Sequence, residues 1–293
     1  MKPSNVRELL LYNNNYTDYE RLAGIRESVL ANLSDIMTVS RKSVLKNKVN
    51  TENGPIGTMG ESILHNCLKR YMDDNIDNHE VYVDNYFADI QNGNTITEIQ
   101  TKSLYKLKSK LNVFLKNYNV CIVYPLINNK WITYIDIKDI KSGKFDIERF
   151  MESGIRKSPF KGDIYDVFDE LYGIKDYLIH KNIKIHIYEM DILQINSNMP
   201  IRNGKRRPYS KLNKIPLGIN NIYTIDRYED WIQFLPLELG DEFTSGDFSE
   251  CCNISSYQSS ISLRVMNDIE VVKRVGKKGR FYLYNINDKL IKM

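Results

Sequence analysis

Two periodicities alternate along the chain. From Phe87 to Lys102, FADIQNGNTITEIQTK, apolar and polar positions change places at every step, which predicts two short strands around an Asn/Gly turn, QNGN (Gln91 to Asn94). In the second of them Glu98, Gln100 and Lys102 share one face, with Ile96 one step behind, and Asp89 lies nine positions before Glu98 on the preceding strand. Upstream, Met59 to Asp73 carries Ile63, Leu64, Cys67, Leu68 and Tyr71 at helical spacing. Downstream, Ser103 to Lys116 reads as a helix, NVCIVYPL (Asn119 to Leu126) as a buried strand and KWITYIDI (Lys130 to Ile137) as an alternating one. Later, IYDVFDELYGIKDYLI predicts an amphipathic helix with Ile164, Val167, Phe168, Leu171 and Ile174 inward, and IKIHIYEMDIL a strand. RKSPFKGD, just before that helix, reads as a loop with three cations, and residues 1–50 as a helical segment. Helix, three strands, helix, strand is an α/β order.

Length and composition bound this picture without changing it. At 293 residues, 42% hydrophobic and 27% charged, the chain has room for about two soluble domains. No run is apolar enough for a signal peptide or a membrane span. Cys67, Cys121, Cys251 and Cys252 have no metal spacing and no disulfide framework, so a reducing, cytoplasmic compartment is expected. The net charge of +4 is modest, but its distribution is uneven. Ile201 to Lys214 holds six bases (Arg202, Lys205, Arg206, Arg207, Lys211, Lys214) and no acid, with Tyr209 available to stack. A second basic group, Lys102, Lys106, Lys108 and Lys110, follows the hairpin. Solvated loops explain most such runs; unopposed cations are also what a phosphate backbone selects.

The hairpin is where chemistry concentrates. Two carboxylates and a cation on neighbouring strands make a divalent-metal site with a charge stabiliser, which is phosphodiester hydrolysis; the plainer alternative is an exposed hairpin with a wet polar face. Glu61, in the first turn of the Met59–Asp73 helix, either complements the helix dipole or faces the same metal. Glu189 and Asp191 share a face of their strand and mimic a metal pair, but lack a third ligand, so a solvent-facing edge is expected. His65 and His186 read as structural.

From Glu61 to Ile137 the chain resembles the PD-(D/E)XK nuclease superfamily, with an acid in the first helix, an Asp on the second strand and acid–x–Lys on the third. The resemblance implies a restriction-endonuclease-like mixed sheet flanked by helices. It assigns Glu61, Asp89 and Glu98, with the backbone carbonyl of Ile99, to Mg²⁺ (Mn²⁺ as substitute). Gln100 stands where the family has Lys, and the nearest lysine, Lys102, lies one strand repeat, roughly 7 Å, further along. Either Lys102 takes the usual role at the phosphate, or it is a phosphate contact at the start of the next helix.

The last third predicts three helices and a hairpin. They are Trp231 to Leu239 (interrupted by Pro236), FTSGDFSECC with Thr244 or Ser245 as N-cap, and SSYQSSISLRVMNDI with Ile261, Val265, Met266 and Ile269 inward. EVVKRV and RFYLYNI then flank a cationic turn, GKKG (Gly276 to Gly279). This segment resembles a winged-helix domain. That implies DNA contact through Ser256, Tyr257, Gln258, Ser259 and Ser262 of the third helix and through Lys277, Lys278 and Arg280 of the wing. The expected organisation is a helical segment (1–50), a nuclease-like core (51–192), a basic connection (193–225) and a winged helix (226–293). The expected function is a Mg²⁺-dependent endonuclease on double-stranded DNA in restriction or defence, dimeric if it cuts both strands. The alternatives are an inactive nuclease-like DNA-binding regulator and a subunit of a defence or repair complex.

Overall fold

The computed structural model describes residues 3–31, 33, 62–136, 139, 145–197 and 209–287. It is an α/β structure with a large mixed sheet flanked by helices. Helices α1 (Val6–Leu11), α2 (Tyr19–Leu30) and α3 (Ile63–Met72) precede the strands. The Ser62 side chain caps α3 by accepting from the His65 N–H, and Ile63, Leu64, Cys67, Leu68 and Tyr71 are its buried face, as the spacing predicts. Glu61 lies outside the described residues.

Strands β1 (His79–Val83), β2 (Tyr86–Asn92) and β3 (Thr95–Ile99) follow. Two-residue connections join them: Asp84–Asn85, both at positive φ (46° and 70°), and Gly93–Asn94, with Gly93 at 55°. A 3₁₀ turn (Leu104–Leu107) leads into α4 (Lys108–Phe114) and then β4 (Asn119–Ile135). β2 and β3 pair antiparallel and β3 and β4 parallel, with α4 in the crossover. Next come α5 (Ile147–Met151), β5 (Arg156–Lys161), α6 (Val167–Tyr172), β6 (Ile183–Ser197) and β7 (Ser210–Ile225). Among the described residues the large sheet has the order β1-β2-β3-β4-β6-β7, with β5 on β4.

Three expectations are corrected here. The two strands expected at Asn119–Leu126 and Lys130–Ile137 are one continuous strand, β4. RKSPFKGD is not a loop: Arg156–Lys161 pairs antiparallel with the later part of β4, and Pro159 is tolerated because β5 pairs on one side only. Asp191 does not face solvent: β6 lies between β4 and β7 and is not an edge, and the Asp191 side chain is fully buried, with the Tyr16 hydroxyl and the Asn129 and Asn220 amides on it.

The chain divides into two compact units. The first comprises Met1–Tyr82, Ile127–Gly162 and Tyr188–Ile222. Its core joins Val6, Leu9 and Leu10 of α1 to Leu193 and Ile195 of β6 and Ile215 and Leu217 of β7. Gly218 has no alternative there, since a Cβ would fall 2.0 Å from the Tyr16 ring. The second comprises Val83–Leu126, Asp163–Ile187 and Tyr223–Met293. An aromatic cluster fills it: Phe168 meets Phe234 edge-on at 5.4 Å, and Phe248 meets Tyr165 likewise at 5.4 Å.

The end of the second unit runs 3₁₀ helix (Tyr228–Phe234), β8 (Glu242–Thr244), α7 (Ser245–Cys251), α8 (Ser256–Asp268), β9 (Val272–Lys278) and β10 (Phe281–Ile286). The small sheet has the order β8-β10-β9. The helix expected to reach Leu239 stops at Phe234, since Leu235 takes the extended conformation (φ −105°, ψ 119°) that suits a residue before Pro236. Thr244 is the N-cap of α7, with a reciprocal bond from its own N–H to Asp247. The hairpin turn is Gly279–Arg280 rather than Gly276–Gly279, so Lys277 and Lys278 stand on β9. Ser259 and Ser262 are buried, not exposed: they follow the inward phase of Leu263 and Met266, and the Ser259 hydroxyl donates to the Ser245 carbonyl at 2.6 Å. Ile261 is correspondingly only half-buried.

Candidate functional site

Asp89 and Glu98 stand opposite one another. The β2–β3 register pairs Ile90 with Thr97, and one step outward along the same ladder brings Asp89 across from Glu98. The turn at Gly93 sets that register, so a two-residue loop positions both acids. Asp89 Oδ2 accepts from the Ile99 N–H at 2.7 Å. Glu98 is only 2% exposed. Its partner is Lys110 of α4, whose ammonium donates to Glu98 Oε2 at 2.7 Å, to Oε1 at 2.9 Å and to the Phe87 carbonyl at 2.6 Å. Burial first, and then the Asp89 charge, push the Glu98 carboxyl up to about 8, against the opposing pull of Lys110.

In the sequence Lys110 is visible only as one member of a basic run. Helix phase is the signal that singles it out: Leu107, Leu111 and Phe114 are buried, and Lys110 sits beside Leu111 at the margin of that inward face. Gln100 and Lys102 do not line the site as expected. β3 ends at Ile99, so the alternation that would carry Lys102 along the same face stops there. The Gln100 side chain turns back to donate to the Lys102 carbonyl at 2.6 Å, and Lys102 is exposed. Ile99 enters through its N–H. Glu170 of α6 is a further acid that the sequence does not mark: its two oxygens accept from the N–H groups of Ser103 and Leu104, at 2.9 and 2.8 Å, and fill the start of the 3₁₀ turn.

The second acidic pair behaves differently. Asp191 Oδ1 accepts from the Asn129 N–H at 3.0 Å, the Asn129 amide at 2.9 Å and the Asn220 amide at 2.9 Å; Oδ2 accepts from the Tyr16 hydroxyl at 3.0 Å. Burial and the neighbouring Asp191 charge raise the Tyr16 phenol far above its ordinary range. Glu189 accepts from the Asn128 amide. Every donor to Asp191 in this set is neutral.

Among the expected nucleic-acid contacts, Arg202, Lys205, Arg206 and Arg207 lie outside the described residues. Lys211 is exposed on β7. Tyr257 and Gln258 on α8 are engaged within the second unit: the Tyr257 hydroxyl donates to Asp169 at 2.6 Å and the Gln258 amide to Asp166 at 2.8 Å. Lys277, Lys278 and Arg280 are exposed, with Lys277 5.1 Å from the Tyr282 ring centre and Arg280 4.9 Å from that of Phe281. Among the described residues no three His, Cys, Asp or Glu side chains gather as a metal cluster, and no helix is long and apolar enough to cross a membrane.

Residues 62–226 match the family described as a domain of unknown function, DUF8091. The chain belongs to that family. The match takes in both acidic pairs and Lys110 and stops short of the small three-stranded sheet. An uncharacterized protein of Treponema pallidum (strain Nichols) is 29% identical over 133 residues, which cover 45% of this chain and 49% of that protein. The chain thus spans about half the length of this relative. No solved structure matches.

Proposed function

We propose that this DUF8091 chain is a divalent-metal-dependent DNA endonuclease of the PD-(D/E)XK kind, with its site built on Asp89, Glu98 and Lys110. The observation that carries the reading is the facing pair of acids on β2 and β3, with Lys110 held on Glu98, beside a β3–α4–β4 parallel crossover. The donor chemistry suits a hard cation: Asp89, Glu98 and the Phe87 carbonyl supply oxygen only, and Glu98 and Phe87 already hold a positive charge. Glu61 is the expected additional ligand. Bound Mg²⁺ or Mn²⁺ would supply Lewis-acid polarisation of the phosphate and an acidified water.

The chain's own groups do the rest. The Ile99 N–H fixes the orientation of Asp89. Glu98, kept dry, holds Lys110 in place, and a divalent ion held by the carboxylate would free the ammonium for the phosphate. Lys110 then donates to the charge that develops on the phosphoryl oxygens, the role the superfamily gives to the residue that is Gln100 here. The C-terminal order of helix, strand, helix, helix and two strands, with β8 on β10, favours a winged-helix reading, in which Lys277, Lys278 and Arg280 meet phosphates. Tyr257 and Gln258 are held by Asp169 and Asp166, which favours backbone contact over base reading. Restriction or defence fits this architecture, with a homodimer where both strands are cut.

A second reading is an inactive nuclease-like DNA-binding protein. It is favoured by the Glu98–Lys110 pair, which already neutralises the site, and by Gln100 being folded back on its own loop. Plasmid and linear DNA incubated with Mg²⁺, Mn²⁺ or EDTA separate the two. Metal-dependent cutting by wild type that disappears in Asp89→Ala and Glu98→Ala supports the nuclease; equal cutting by all three proteins, or none by any, sinks it.

A further inference from the structure

One face of the first unit carries exposed rings and unopposed cations together. Lys130, Ile132 and Tyr134 share a face of β4, because alternate residues point the same way. Arg156 joins that face as the cross-strand partner of Ile132. Tyr209, just before β7, and Lys211, near its start, reach it too: the Tyr209 ring meets the Tyr134 ring edge-on at 6.4 Å. Desolvation, and then the Lys211 charge, depress the Lys130 ammonium from its ordinary value, so the two lysines lie close enough to repel. Phe160 of β5 completes the set, its ring centre 4.7 Å from the Lys130 ammonium. Tyr134 and Tyr209 are each 41% exposed and Phe160 is 44% exposed, so all three rings are accessible.

Solvated surface does not account for this grouping. Two lysines that repel are costly to hold together, and among the described residues Lys130, Arg156 and Lys211 have no acidic partner. A polyanion relieves that repulsion, and a polyanion with flat apolar faces uses the rings as well. Paired bases keep their faces inside the duplex; unpaired bases offer theirs for stacking on Tyr and Phe.

We propose that the Lys130–Tyr134–Arg156–Phe160–Tyr209–Lys211 face of the first unit binds single-stranded nucleic acid, its phosphates on the cations and its bases stacked on the rings. The proposal goes beyond the phosphodiesterase reading above and does not depend on it.

The test is fluorescence anisotropy of the full chain in EDTA, where no metal-dependent cleavage intervenes. The probes are labelled oligothymidylate, oligouridylate and a mixed-sequence duplex of equal length. Binding of either single strand at least about fivefold tighter than the duplex is expected, with Tyr134→Ala/Tyr209→Ala weakening it at least tenfold, as the loss of stacked bases requires. Lys130→Gln/Lys211→Gln should flatten the salt dependence, lowering the slope of log K against log salt by about 1.4, or about 0.7 for each phosphate no longer neutralised. The DNA and RNA arms tell which sugar the face accepts. Tighter duplex binding, or single-strand binding that neither double variant changes, overturns the proposal. These outcomes are independent of cleavage: a failed binding test leaves the nuclease reading standing, and a failed cleavage assay leaves the binding face standing.

Discussion

The molecule holds two pairs of acids, each with one member buried, and the company of the buried member separates them. Asp191 is fully buried, yet its donors are neutral: a tyrosine hydroxyl, two amide side chains and a backbone N–H. Such a carboxylate is solvated by the protein and locks the strands and loop that supply its donors. Glu98 is as dry, but an ammonium on the flexible stem of Lys110 satisfies it. A stem of that kind can swing away and a divalent ion can take its place, whereas fixed neutral dipoles leave no charge to exchange. Burial of an acid is therefore a poor marker of a site; an exchangeable counter-charge beside a second acid is a better one.

That contrast breaks most sharply by mutation. Asp89→Ala or Glu98→Ala should reduce metal-dependent cleavage by at least about 100-fold, the scale of losing a principal electrostatic group in a reaction, while the protein stays folded by circular dichroism. Asp191→Ala should do the reverse. It leaves the Tyr16, Asn129 and Asn220 donors unpaired and should lower unfolding stability by about 1–3 kcal/mol for each buried donor left unsatisfied, measured by urea titration, with activity per folded molecule unchanged. If Asp191→Ala abolished cleavage in a folded protein, the contrast would be gone. Gly218→Ala tests the same locked region: displacing the Tyr16 ring should cost about 1–3 kcal/mol in the same titration.

A smaller effect is expected of pH. The Glu98 carboxyl is raised to about 8 in the folded state from its ordinary value of 4.5, so the native protein binds the proton more tightly than the unfolded chain does. The resulting stability is fully present below about pH 4.5 and is lost as pH rises through about 8. In metal-free buffer the melting temperature of wild type should fall across that window. Glu98→Gln should flatten the fall. An identical slope in both proteins would show that Glu98 does not titrate there. Smallest of all, Glu170→Gln weakens the capping of the 3₁₀ turn at Ser103 and Leu104 and should cost about 1 kcal/mol by chemical denaturation.

Much of the frame is legible in the sequence because local rules suffice for it. The Asn-Gly turn fixes the register of Asp89 against Glu98, the Ser62 cap and the spacing of Ile63 to Tyr71 define α3, and Thr244 caps α7. What sequence spacing misses depends on tertiary partners. The cationic run Arg156–Lys161 becomes a strand only because β4 offers an edge to pair with. Asp191 reads as a half-exposed strand acid until Tyr16, Asn129 and Asn220 close on it. Lys102 looks like the site lysine only when alternation is extended past Ile99, where β3 ends. Lys110 escapes notice because a helix brings it back from twelve residues beyond Glu98.

The central question is whether the positive charge beside Glu98 can be exchanged for a divalent ion. Isothermal titration of Mn²⁺ into the metal-free protein measures that directly. Saturable binding by wild type and by Asp191→Asn is expected, with its loss in Glu98→Gln and Asp89→Asn. Equal heats in all four proteins, or no saturable binding by wild type, would contradict an exchangeable site at Glu98.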